Sequence, residues 1–233
     1  MRWWMGAATG FLALIGPAAT SPLAGQAVTI DGGTFRLTVN GAEVGTETFA
    51  IVQSGPSTNA TVEARGQVRI DAGPETTSRL LFAGPALRAA SYDLRVGGEQ
   101  GDTIKGTVSG RRVTARVVSG AGENLREYLV SEGAIVIEDG VAYQHYFLAR
   151  RVREGETRVP VIVPREGRQI WVNVEPGAEE TVTIAGQPIA ARRLTIRPEQ
   201  GDERILWVDA QDRVVRLEIP GRGYVAERTA PPS

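Results

Sequence analysis

Between Thr61 and Ile70 the chain alternates without a fault. Val62, Ala64, Gly66, Val68 and Ile70 take one side, and Thr61, Glu63, Arg65, Gln67 and Arg69 the other. A sustained period of two is the mark of a strand with one dry and one wet face, and such strands belong to antiparallel sheets. The same pattern sets Phe35, Leu37 and Val39 against Thr34, Arg36 and Thr38. Asn40-Gly41 follows, a turn dipeptide whose residues tolerate positive φ, and the chain returns from Val44 to Val52. Further strands are expected at 76–82, 88–96, 102–108, 112–118, 127–130 and 134–137. After residue 155 they are expected at 158–163, 169–174, 181–185, 190–197, 203–208, 214–219 and 223–228. Pro160 and Pro164 place 158–163 at a sheet edge, since proline cannot donate to a ladder. Ser119 to Asn124 reads as a flexible glycine-rich loop, and Ala64, Gly66, Ala90, Gly106 and Ala115 as small inward positions that leave room for something bulky.

One stretch breaks the period. From Glu138 to Gly155 (EDGVAYQHYFLARRVREG) apolar side chains surround most of a helical circumference, the pattern of a buried helix. Asp139 is placed to cap its start, Arg150, Arg151 and Arg153 complement the dipole at its end, and Gly155 offers a left-handed stop. The expected fold is therefore mainly β: one large curved antiparallel sheet or open half-barrel of about 12–14 strands wrapped around one helix at about 140–152.

Residues 1–27 read differently. Met1 and Arg2 are followed by an apolar run from Trp3 to Ile15, by Pro17, Ser21 and Pro22, and by Gly25-Gln26-Ala27. This is the layout of a cleaved secretory signal peptide, too short in its apolar part for a span, and it places the chain in the periplasm or outside the cell. Residues 28–228 then form a single β-rich domain, 229–233 a disordered tail, and the mature chain carries no membrane span. The absence of cysteine excludes disulfides, thiolate metal sites and a lipid-anchored leader. A formal net charge of −1 is not that of an electrostatic nucleic-acid binder.

No residue pattern states a chemistry. His145, the only histidine, lies in the helix without a Gly-x-Ser-x-Gly elbow elsewhere to supply a nucleophile. One histidine cannot build an imidazole-rich zinc site, and no metal or other cofactor is expected. Asp209 and Asp212 sit at a hairpin tip, where carboxylates ordinarily satisfy turn backbone. Arg150, Arg151, Arg153, Arg192 and Arg193 are the densest basic positions, open to an anionic headgroup or to plain dipole compensation. The candidate ligand-binding set is Tyr143, Tyr146, Phe147, Tyr92, Trp207 and His145, the side chains that would border a cleft between helix and sheet.

Meandering strands opening with TFRLTVNGAEVGTETFAI, a buried YQHYFLARRV helix and a closing LWVDAQDRVVRLEIP resemble secreted bacterial proteins of unknown function. Those proteins are related in shape to the half-barrel periplasmic lipoprotein-localisation carriers. The resemblance spans Thr34 to Arg228 and implies a non-enzymatic carrier or binding module for an apolar, lipid-like ligand in the concave sheet. It implies no catalytic residue, and this chain has one clear helix where the carriers have several. Two other readings follow from the residues: an envelope scaffold that engages a protein partner through a free strand edge, and a hydrolase using His145.

Overall fold

A computed structural model describes residues 27–56, 59–84, 86–98 and 101–233. The leader expected at 1–27 lies outside the described residues except for Ala27. The strands are β1 (Val28–Val39), β2 (Ala42–Ser54), β3 (Thr61–Ile70), β4 (Thr76–Ala83), β5 (Arg88–Val96), β6 (Thr103–Ser109), β7 (Arg112–Ser119) and β8 (Gly122–Leu129). Then come β9 (Ile135–Val136), helix α1 (His145–Arg153), β10 (Arg158–Val163), β11 (Arg168–Ile184), β12 (Gln187–Pro198), β13 (Arg204–Val208), β14 (Val214–Ile219) and β15 (Tyr224–Arg228). All 15 strands form one sheet, in the order β8 down to β1 and then β15 down to β9.

The chain therefore starts in the middle of its own sheet. It meanders outward to the β8 edge, crosses through β9 and α1 to the far side, and works back until β15 zips onto β1, with Phe35 opposite Arg228 and Val39 opposite Tyr224. Every pairing is antiparallel except β9 on β10. The two edges are tied by the short 130–134 connection. Across that seam Arg126 donates to Arg165 O at 3.1 Å and Ser131 N donates to Gln169 Oε1 at 2.5 Å. The sheet thus curls almost into a barrel, with its inward side chains and α1 sharing one core.

Two notches in the sheet explain the packing. Gly66 on β3 lies under Tyr143, and a Cβ there would sit 2.3 Å from Tyr143 Cε1. Gly106 on β6 lies under Tyr92 in the same way, at 2.1 Å from Cζ. The small inward residues make room for side chains of the protein itself. Above the first notch Phe35, Phe49 and Tyr143 stack at 5.2 and 5.5 Å, and Phe82 stacks on Phe147 at 3.8 Å.

Several sequence expectations change. The 158–163 strand is not an edge: β10 is buried between β11 and β9, and the edges are β8 and β9. β9 pairs only opposite Val161 and Ile162, so Pro160 sits where the ladder on that side has ended. The loop read at Ser119 to Asn124 is a tight hairpin in which only Gly120 and Ala121 leave the ladder. Segments 169–174 and 181–185 join into one strand with a bulge between Pro176 and Glu179. Ala90 is the extra residue of another bulge, which turns Ala89 inward in its place.

The start of α1 differs too. Gln144 is its N-cap residue and makes no side-chain cap bond. Asp139 instead accepts from Arg204 at 3.1 Å and Arg222 at 2.5 Å. The helix end is as expected, with Gly155 at φ 98° and its N–H donating to Val152 O at 3.0 Å. In the tail, Thr229 N donates to Thr34 O and Arg213 donates to Ser233 O.

Candidate functional site

The two sides of α1 meet different halves of the sheet. Tyr143 and Phe147 face β2–β4, where packing is aromatic and close. His145 and Leu148 face β10–β13, where aliphatic side chains leave a cleft of ≈ 70 Å³. Its inner wall is Ile137, Leu148, Val161, Val172 and Ile196, with Ile170 nearer the surface. Successive residues of a strand point to opposite faces, which is what aims Val161 of β10, Ile170 and Val172 of β11 and Ile196 of β12 at the cleft.

The mouth of the cleft is charged. Asp139 bridges Arg204 and Arg222, and Arg222 also donates to Asp202 Oδ2 at 2.6 Å. Arg204 donates to His145 Nε2 at 3.1 Å, so the imidazole proton is on Nδ1 and faces Ala142 O at 3.1 Å. Burial first, and the Arg204 charge second, hold the His145 pKa down to about 3. This imidazole is neutral, fixed at both nitrogens, and its basic lone pair is already occupied. No serine, threonine or cysteine among the described residues lines the cleft beside it. Among the described residues no group of three or more His, Cys, Asp or Glu side chains could hold a metal ion.

The remaining sequence-selected residues are scattered. Tyr143 is fully buried, shares a 2.9 Å hydrogen bond with Ser78, and burial raises its pKa. Phe147 is buried on Phe82, and Tyr92 shares a 2.9 Å hydrogen bond with Tyr128. Tyr146 borders a different hollow, on another face of α1. Trp207 is on the opposite face of the sheet from the main core. It packs on the small cluster of Val182, Ile184, Ala191 and Val215, and donates to Glu180 Oε2 at 2.9 Å. Of the six, only His145 lines the cleft; Arg204, Asp139, Arg222 and the aliphatic wall are additions made by the fold.

A second missed residue holds the plug in place. Glu47, on β2 and wholly buried, accepts from Ala142 N and Tyr143 N at 2.8 Å each. These are donors of the turn that leads into α1, which a helix start leaves without partners. Burial outweighs the two hydrogen bonds and pushes the Glu47 pKa up to about 7. The clue in the sequence is a carboxylate between Gly45 and Phe49, on the dry side of an alternating strand. Asp31 and Arg228 form a comparable buried pair at 2.5 Å, with the guanidinium also over the Phe35 and Phe49 rings.

No protein-family model matches this sequence, and no curated protein matches it either. Among solved structures the chain is similar to a β-barrel-like protein of the domain of unknown function DUF1849 from Brucella abortus. The TM-score is 0.50 at 9% identity, covering 87% of this chain and 95% of that one. The likeness is one of fold. Both are β-rich and barrel-like, and no helix among the described residues of this chain is long and apolar enough to cross a membrane.

Proposed function

We propose that this protein is a non-enzymatic binding or carrier module of the bacterial envelope, periplasmic or secreted, for a small apolar or amphipathic ligand held between α1 and the concave sheet. The observation that carries the reading is the aliphatic cleft under His145 and Leu148 with its charged mouth. An apolar hollow with a few convergent polar groups is the usual form of a small-molecule site. At ≈ 70 Å³ it takes a short aliphatic group and leaves no room for a diacyl lipid unless α1 shifts. The neutral, doubly engaged His145 supports binding over hydrolysis.

The test is native mass spectrometry of protein purified without detergent, before and after adding fatty acids and phospholipids. An apolar ligand is expected to co-purify in the cleft, and Ile170→Trp, which fills the mouth of the cleft, is expected to remove that co-purifying ligand without unfolding the protein. A homogeneous ligand-free mass that no addition shifts would remove the carrier reading.

One observation favours a second reading, an envelope scaffold that binds a protein partner. On the β8 edge Leu125 and Leu129 are 63% and 70% exposed. An open edge with apolar side chains can accept another strand. In that case the ligand-free mass would be accompanied by a specific protein that Leu125→Lys releases.

A further inference from the structure

The three arginines that close α1 are not equivalent. Arg151 pairs with Glu156 at 2.6 Å, and Arg153 with the buried Asp212 at 3.1 Å. Arg150 has Glu154, one turn on, at no less than 3.9 Å and the Tyr146 hydroxyl beside it, and its Nε, like that of Arg151, is buried without a hydrogen-bond partner among the described residues. A guanidinium carries five donors in a planar fork, and one left this poorly engaged is suited to an incoming carboxylate or phosphate oxygen.

Arg150 lines a hollow of ≈ 380 Å³ where the β1 start, the β2 end and the β4–β5 turn meet α1. Its other described walls are Ile30, Ala60, Gly84 and Leu87, with Gln53 and Tyr146 polar. Among the described residues the lining holds one cation and no acid. Nearby carboxylates are already matched: Asp31 with Arg228, and Asp212 with Arg153 and Arg192. Leu87 reaches its place from a left-handed backbone at φ 45°, a conformation that costs a branched side chain about 1 kcal/mol or more and recurs at ligand clamps.

We infer that this hollow is a second ligand site, which takes a monoanion with a short aliphatic body: the carboxylate on Arg150, the chain against Ile30, Ala60 and Leu87. It is distinct from the cleft beneath His145 and does not depend on it.

Calorimetric titration of octanoate into the whole chain tests this. One octanoate is expected to bind, and Arg150→Leu is expected to weaken it about tenfold or more, while Arg150→Lys keeps most of the affinity. Gln53→Glu, which places a like charge on the facing wall with almost no change of shape, is expected to weaken it as well. Ile170→Trp, at the other cleft, is expected to leave octanoate binding unchanged. The inference is overturned if octanoate gives no binding, if octylammonium binds equally well, or if folded Arg150→Leu and Gln53→Glu both bind like the wild type. Loss of octanoate binding in Ile170→Trp would assign it to the cleft and overturn the second site.

Discussion

Glu47→Ala is expected to cost on the order of 3–5 kcal/mol of stability at pH 5. It strands the Ala142 and Tyr143 N–H groups in the core, at about 1–3 kcal/mol each, and leaves a void beside them. For a domain of this size that is a fall of about 10 °C or more in Tm. Glu47→Gln keeps the shape and one acceptor, so its cost at pH 5 is expected to be about 1 kcal/mol.

The two variants also report the charge. The folded pKa of about 7 lies above the ordinary value of 4.5, so the folded state holds a proton that the unfolded chain has released. The stability due to this group is complete below pH 4.5 and declines as pH rises towards about 7. His145 works in the opposite sense. Its folded pKa of about 3 lies below 6.5, so its contribution is present above pH 6.5 and is lost as pH falls. The two slopes oppose one another between them, so the wild-type curve alone decides nothing. The difference curve does: wild type minus Glu47→Gln is expected to decline from pH 5 to pH 8 in denaturant titrations. A flat difference would mean that Glu47 is ionised throughout.

Gly66→Ala is expected to be nearly as damaging, by excess in place of deficit. The added methyl would lie 2.3 Å from Tyr143 Cε1, well inside van der Waals contact. The ring has nowhere to retreat, being stacked on Phe49, hydrogen-bonded to Ser78 and anchored at its own N–H by Glu47. Overpacking of this kind costs about 1–3 kcal/mol and more where neighbours are rigid. Gly120→Ala, in the β7–β8 turn with open space around it, is the control and is expected to change stability by less than about 0.5 kcal/mol. If the notch is the cause, adding Gly66→Ala to Tyr143→Ala should cost much less than adding it to the wild type. Additive losses in thermal melts would place the damage elsewhere.

Much of the fold was legible because it is written in short range. Alternation in 61–70 and 112–118 named the inward faces, Asn40-Gly41 marked a hairpin, and the apolar circumference of 141–152 marked a buried helix. Bulges at Ala90 and near Pro176 were not legible, since an extra residue on one strand shows only against its partner. The cleft was less legible than the plug. Aromatic residues drew attention to Tyr143, Tyr92 and Phe147, yet the two tyrosines fill the sheet's glycine notches and Phe147 packs on Phe82. The open space lies among valines and isoleucines of β10–β12, indistinguishable in sequence from any other core.

What the amino-acid order determined alone is the period of each segment, and with it a one-sided sheet and a single greasy helix, because side-chain direction follows backbone geometry one residue at a time. Which strand neighbours which, that β15 closes on β1, that Glu47 reaches the turn before α1 and that Arg150 has, among the described residues, no carboxylate nearer than Glu154 at 3.9 Å were decided only in three dimensions. Those outcomes depend on groups far apart in the chain meeting in a dry interior, where one unmatched donor or charge weighs as much as several well-placed methyl groups.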